Sequence, residues 1–311
     1  MIIIRDLKHI AAPFRNAVVT IGNFDGVHIG HQALFHEVVE TADRLDGKSV
    51  AITFEPHPMR VLDPDGHPAL ITLFEQKSEL IRTAGIDVLL AIPFTRQFSS
   101  IPAREFVTEL LVKRIGMKAI IIGNDYAFGK NREGNIDRLK EWGAELNYEV
   151  RVVGWIQGPQ NGGHRISSTK IRQLIMDGDM DRAQKLLGRH YQVRGDVAHG
   201  RDRGGRLLGF PTANITLQDE LCPKTGVYAV TVELDGVTYQ GVANIGFSPT
   251  FDDHLFTVEV HLFDFNRDIY GKKLRVNFIE RLRDEIRFSG LEQLSEQIKL
   301  DVIRAREILS A

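Results

Sequence analysis

The sequence contains a single cysteine, Cys222, in 311 residues. One thiol excludes an internal disulfide and any multi-cysteine metal cluster, and it fits a reducing compartment. Long hydrophobic runs are also missing. Nothing approaches the ~20 consecutive apolar residues that cross a bilayer, and the opening Ile2-Ile3-Ile4 run is too short for a secretory signal. The expected location is therefore the cytoplasm, with no membrane partner. Excess charge is lacking too: 39 Lys and Arg against 41 Asp and Glu leave a net charge of −2. A general nucleic-acid binder carries a basic excess, so nucleic acid is not expected as a partner. With 43% hydrophobic and 26% charged residues the chain is a globular protein, and its length fits two domains. No internal repeat or low-complexity segment is visible.

From the start to residue 187, short Val- and Ile-rich runs alternate with amphipathic stretches. The runs are Ala17 to Ile21, Ser49 to Phe54, Val88 to Ile92, Ala119 to Ile122 and Glu149 to Val153; Phe74 to Ala84 and Phe106 to Ile115 carry helical spacing between them. Repeated βα units around a buried parallel sheet predict a Rossmann-like, doubly wound α/β domain over residues 1–187. Leu186-Leu187-Gly188 reads as a helix stop. Beyond it, strand-like runs (Val227 to Leu234, Val237 to Ile245, Thr257 to Phe265, Leu274 to Phe278) predict a small antiparallel β-barrel over residues 188–311. Leu291, Leu294, Ile298, Val302 and Ile303 return to helical spacing, as a helix closing one side of that barrel.

The most informative segment runs from Thr20 to His31 and includes Gly22-Asn23-Phe24-Asp25-Gly26-Val27-His28-Ile29-Gly30-His31. It follows the first of these runs and opens the first helix, at the ligand-binding end of an α/β sheet. Glycines 22, 26 and 30 let a phosphate near the backbone, the helix N-terminus favours negative charge, and His28 and His31 lie on one helical face. This arrangement suits nucleotidyl transfer, which needs donors to stabilise growing phosphate charge and no enzyme nucleophile. No Cys, Asp or Glu stands at ligand spacing beside the histidines, so a metal site is disfavoured.

A second constellation spans His199 to Asn214. Backbone amides at Gly204, Gly205 and Gly209 can form an anion-binding concavity. Thr212 and Asn214, alternating in an extended segment, place two neutral oxygens on one side, a shell that suits Mg²⁺ with ATP phosphates. A plain glycine-rich hairpin is the competing reading. Phosphorylating an alcohol also calls for a proton acceptor. Strand period puts Val258, Val260 and Leu262 on one face and Glu259 with His261 on the other, which makes Glu259 the candidate, against a merely solvent-facing strand carboxylate.

The His28-Ile29-Gly30-His31 turn resembles that of the nucleotidyltransferase superfamily, and the fuller string is similar to the bacterial bifunctional riboflavin kinase/FAD synthetases. Thr53-Phe54-Glu55-Pro56-His57-Pro58, Gly123-Asn124-Asp125-Tyr126-Ala127-Phe128-Gly129 and Arg165-Ile166-Ser167-Ser168-Thr169-Lys170-Ile171-Arg172 follow in that family's order. Gly205-Arg206-Leu207-Leu208-Gly209-Phe210-Pro211-Thr212-Ala213-Asn214 resembles the family's kinase signature. Gly226-Val227-Tyr228-Ala229, Asn244-Ile245-Gly246, the strand bearing Glu259, and Arg287-Phe288 match it further on. The family often has a basic residue where Ala127 stands.

The resemblance implies two ATP-dependent steps, riboflavin to FMN in the barrel and FMN to FAD with release of pyrophosphate in the first domain. Its implied ATP site for adenylyl transfer comprises Gly22, Phe24, Asp25, Gly26, His28, His31, Asp125, Ser168, Thr169 and Arg172, with Pro56, His57, Pro58, Asp125 and Phe128 toward FMN. For the kinase it implies Gly205, Gly209, Phe210, Pro211, Thr212, Asn214, Tyr228, Asn244 and Arg287 toward ATP and flavin, Thr212 and Asn214 on Mg²⁺, and Glu259 as base. Local readings still compete. Asp125 also fits an Asx turn, Pro56 and Pro58 a plain loop, Ser168 and Thr169 an ordinary helix cap, and the Tyr228 and Asn244 segments either line the ATP site or support the barrel. Cys222, Trp142 and Trp155 read as packing residues. Two other functions fit parts of the pattern: an RNA-binding protein built on a synthetase-like fold, and a single-function adenylyltransferase of another phosphorylated metabolite. A monomer or weak homo-oligomer is expected.

Overall fold

Strand residues alternate between two faces. In the first part of this chain both faces are apolar, so both must be covered. In a computed structural model, which describes residues 1–154, 165–198, 210–217, 219–247 and 256–310, the strands are β1 (Ile2–Ile4), β2 (Ala17–Ile21), β3 (Ser49–Glu55), β4 (Val88–Pro93), β5 (Met117–Gly123) and β6 (Glu149–Val153). They form one sheet in the order β1-β4-β3-β2-β5-β6. Every pairing in it is parallel. The helices of this part are α1 (Ile29–Arg44), α2 (Pro58–Leu62), α3 (Phe74–Thr83), α4 (Arg96–Ser99), α5 (Ala103–Glu105), which runs on into a wide-turn helix Phe106–Ile115, and α6 (Ile136–Leu146).

Val19, Ile21, Ile52, Leu90, Ile120 and Ile122 pack on one face with Leu111, Leu139 and Trp142. Val18, Ala51, Leu89 and Ile121 pack on the other with Leu34, Phe35 and Val38 of α1 and Ile81 of α3. Each buried Val, Leu, Ile or Phe among them contributes about 1.5–3 kcal/mol through burial. The five expected runs are all strands. The Ile2–Ile4 run is an additional one, pairing with Val88–Leu90 at the sheet edge; three residues carry too little periodicity to announce it.

The later part is a closed barrel of β7 (Tyr191–Ala198), β8 (Ala213–Thr216), β9 (Gly226–Leu234), β10 (Val237–Phe247), β11 (Phe256–Leu262) and β12 (Lys273–Arg283), in the order β10-β11-β8-β7-β12-β9. Its interior is filled by Val193, Val230, Val232, Ile245, Val258, Val260, Leu274 and Val276, all fully buried, around Tyr191, Tyr228 and Phe278. Helix α9 (Leu291–Leu309) packs through Val302, Ala305, Ile308 and Leu309 against Ala229, Val242 and Phe263. The apolar stripe was expected to include Leu291 and Ile303, but these are 60% and 56% exposed. The buried line is instead continued by Asp301, which Arg283 neutralises through contacts of 2.7–3.1 Å.

By packing, the chain divides into Met1–Pro68 with Thr72–Ser167, and Ala69–Ile71 with Ser168–Ala311. Helices α7 (Ser168–Asp177) and α8 (Met180–Leu187) thus go with the barrel. Lys224 N donates to Ile175 O at 3.2 Å, and Leu70 pairs with Glu220.

Candidate functional site

In the first unit, the chain steps outward from β2 to β3 to β4 and then returns to place β5 on the other side of β2. That reversal opens a crevice beyond the C-terminal ends of β2 and β5, where ligands bind in doubly wound folds. The Gly22–His31 segment lies there. Its turn is tightly held: Gly22 N donates to Ile52 O at 3.0 Å, and Thr53 Oγ1 to Asn23 O at 3.2 Å. Phe24 and Val27 have positive φ and are 2% and 1% exposed. A Cβ at Gly22 would stand 2.8 Å from the Phe24 ring, and one at Gly30 3.2 Å from His28. Those two glycines therefore make room for the site's own rings, and Gly26, at φ +82, takes the left-handed corner.

His28 is not on the helix but caps it. Its Nδ1 accepts from His31 N at 3.3 Å, which leaves the proton of a neutral ring on Nε2. The two imidazoles stack with centroids 3.6 Å apart and planes at 16°. The three-residue spacing brings the pair together as expected, but as a cap and first-turn stack. Asp25 turns inward. It is 2% exposed, and its Oδ1 accepts from Thr72 N at 3.0 Å and from Thr72 Oγ1 at 3.3 Å. Thr72 Oγ1 in turn accepts from Gly26 N at 3.0 Å. This carboxylate shapes the turn.

His57 caps α2 through Met59 N at 3.2 Å, between Pro56 and Pro58 at the end of β3. Asp125, beyond β5, pairs with Arg165. Phe128 belongs to an aromatic series in which Phe54, Phe94, Phe98, Phe106, Phe128 and Tyr126 follow one another at centroid distances of 5.3–6.0 Å. Of these, only Phe128 was singled out from the sequence as a site residue; scattered phenylalanines give no signal until the fold collects them.

Ser168 and Thr169 open α7 and occupy its first turn, one position later than the expected cap. Arg172 Nε donates to Ala69 O at 2.9 Å. All three belong to the second unit by packing.

In the barrel, register gathers the kinase candidates. Glu259 on β11 lies opposite Asn214 of β8 on one side and Asn244 of β10 on the other. Residues directly opposite in antiparallel strands share a face, and the neighbours Val258 and Val260 fill the interior, so this row is on the outside. His261, next on that face, contacts Pro211 O through Nδ1 at 2.9 Å and Phe210 edge to face. Glu259 keeps an exposed face, yet the atoms packed about its carboxylate and the charge of Glu285 raise its pKa above the ordinary value. Glu285 was not anticipated; it lies against Gly246. Thr212 immediately precedes β8. Tyr228 is a core residue, fully buried, with its hydroxyl donating to Lys224 O, and burial pushes its pKa up to about 12. Of its two readings, barrel support is the one its side chain meets. Arg287 is exposed before α9. Gly205 and Gly209 lie outside the described residues.

Two family models match. FAD synthetase covers residues 11–170 and riboflavin kinase covers residues 187–309. The bifunctional riboflavin kinase/FMN adenylyltransferase of Pseudomonas fluorescens is 39% identical over 99% of this chain and 98% of its own, and that of Escherichia coli K12 is 38% identical over 99% and 97%. The chain belongs to this family. The Listeria monocytogenes relative is 38% identical over 92% and 90%. A solved structure from Streptococcus pneumoniae, described as a macrolide-efflux protein, superposes with TM-score 0.88 at 36% identity over 98% of both chains. That description is of the other protein; among the described residues here, no helix is long and apolar enough to cross a membrane.

Proposed function

We infer that this riboflavin kinase/FMN adenylyltransferase family member makes FAD in two steps. The barrel transfers the γ-phosphoryl group of ATP to riboflavin, giving FMN and ADP. The α/β domain, to which we assign residues 1–187 including the α7 signature, then joins FMN to the adenylyl group of a second ATP, releasing pyrophosphate. One observation carries this reading: two family models lie side by side in a chain matched end to end by bifunctional relatives. The match over residues 187–309 disfavours a single-function adenylyltransferase.

In the kinase step the ribityl 5′-hydroxyl oxygen bonds to the γ-phosphorus as the bond to the β-phosphate oxygen breaks. Glu259 takes the hydroxyl proton, and its raised pKa suits that task. The neutral oxygens of Thr212 and Asn214 fit, and would hold, the Mg²⁺ that accompanies ATP. Bound there, the ion would neutralise charge on the phosphates. In the adenylyl step an FMN phosphate oxygen attacks the α-phosphorus and pyrophosphate leaves. His28, oriented by the bond from His31 N to its Nδ1, and His31 stacked beside it stabilise the growing phosphate charge, and the α1 N-terminus adds its dipole. Asp125 and the Pro56-His57-Pro58 loop flank the crevice, and the aromatic series that includes Phe128 supplies an apolar surface for the flavin ring. The chain works as a cytoplasmic monomer or weak homo-oligomer on small molecules, without nucleic-acid or membrane partners.

Labelled ATP tests the assignment. Label from the γ-position should enter FMN, and label from the α-position should enter FAD alone. Label from the α-position in FMN, or none in FAD, would contradict it.

A further inference from the structure

Between β5 and α6 the chain makes a loop, Asn124 to Asn135, that carries Asp125, Tyr126 and Phe128. Its two sides meet in an antiparallel bridge: Phe128 N donates to Gly134 O at 3.0 Å and Gly134 N to Phe128 O at 2.9 Å. At its tip Asn131 and Arg132 have φ of +55° and +58°. Two consecutive residues other than glycine in the left-handed region persist only where surrounding contacts hold them. Those contacts come from the segment that opens α5. Lys130 N donates to Ile101 O at 3.0 Å, and the Glu133 carboxylate accepts from Ala103 N at 2.7 Å. The fit is close. A Cβ at Gly129 would stand 2.6 Å from Ala103 Cβ, and one at Gly134 would stand 2.7 Å from the Phe128 ring. The helix that α5 begins also supplies Phe106, whose ring centroid lies 5.8 Å from that of Phe128. Its N-cap is Pro102, which makes no side-chain cap bond. Glu133, from the loop, therefore gives this helix the acceptor that its own cap residue lacks.

We propose that Glu133 is a positioning residue for adenylyl transfer: by accepting from Ala103 N it fastens the loop to the helix that bears Phe106, and so fixes the Phe128 ring where the flavin of FMN lies. The proposal rests on the reading of the aromatic series as the flavin surface. It assigns Glu133 no contact with substrate.

The test uses the full chain, with riboflavin phosphorylation in the same preparation as the control for the barrel. Glu133→Ala should raise the KM for FMN about threefold or more while kcat and the KM for ATP stay within about twofold, because the ring that meets the flavin shifts and the Gly22–His31 turn does not. Glu133→Gln keeps an oxygen for Ala103 N and should return the KM for FMN to within about twofold of wild type. Pro102→Ser, added to Glu133→Ala, separates the two things the carboxylate does, since serine at the N-cap restores a helix cap without restoring the tie to the loop. The double variant should melt above Glu133→Ala and keep the raised KM for FMN. A Glu133 that serves only to stabilise the helix would instead show a wild-type KM there. An unchanged KM for FMN in Glu133→Ala, no recovery in Glu133→Gln, or a wild-type KM in the double variant would overturn the proposal. If Glu133→Ala does not fold, the double variant and Glu133→Gln carry the comparison. Phe128→Ala tests the underlying reading separately: a wild-type KM for FMN in that variant would remove the flavin surface itself, whatever Glu133 does.

Discussion

Glu259→Gln separates what the carboxylate does for chemistry from what it costs the fold. The substitution keeps shape and removes charge in the middle of the Asn214–Glu259–Asn244 row. A positioned general base contributes about 10²–10⁴-fold, or ~2.7–5.5 kcal/mol of barrier. FMN formation should fall by that factor, and adenylylation of supplied FMN should not change. Stability should move the other way. Desolvation first, and the Glu285 charge second, raise the pKa of Glu259. Folding therefore favours its protonated form. That contribution is complete below the unfolded pKa of ~4.3 and is lost as pH rises through the folded value. At neutral pH the ionised group opposes folding, and glutamine removes the opposition. The variant should melt at or above the wild-type temperature near neutral pH, with the difference closing as pH falls toward the unfolded value. For the same reason the acid limb of wild-type FMN formation should lie above the ordinary glutamate range. Chromatography of riboflavin, FMN and FAD reads the activities, and thermal melts at several pH values read stability. Kinase activity within about threefold of wild type would refute the assignment of the base, and so would loss of both activities in a folded variant.

His28→Ala removes the proposed charge-stabilising ring and the α1 cap together. FAD synthesis should fall by about 10²-fold or more with FMN formation intact, and a melt should show about 1 kcal/mol of lost stability. At Gly22, alanine would bring a Cβ to 2.8 Å from Phe24, whose ring is buried and has nowhere to go; overpacking of about 1–3 kcal/mol should make FAD synthesis heat-labile before FMN formation. Asp301→Ala leaves Arg283 beside a vacated partner between β12 and α9. Loss of about 3–5 kcal/mol, read in a denaturant melt, should remove kinase activity at temperatures the wild type tolerates.

Much of this fold is legible because parallel strands buried on both faces are written as unbroken Val and Ile runs. Ala17–Ile21 and Glu149–Val153 agree with their expected bounds to the residue. Strands β7 and β8 were harder: Tyr191–Ala198 mixes polar and apolar residues as one wall of a barrel with a single buried face, and β8 has only four residues. The site was legible wherever short-range spacing fixes contacts, as for His28 with His31. It was not legible where distant segments meet. That Asp25 turns onto Thr72, that Glu285 lies close enough to raise the Glu259 pKa, and that phenylalanines from position 54 to 128 form one series all depend on chain crossings no local pattern encodes.

The most direct measurement is a time course of purified protein with riboflavin, ATP and Mg²⁺, separating the three flavins. FMN should rise first and then fall as FAD appears. FMN accumulating without FAD, even with fresh ATP, would contradict adenylyl transfer in the α/β domain; supplied FMN becoming FAD while riboflavin stays untouched would contradict the barrel's kinase role.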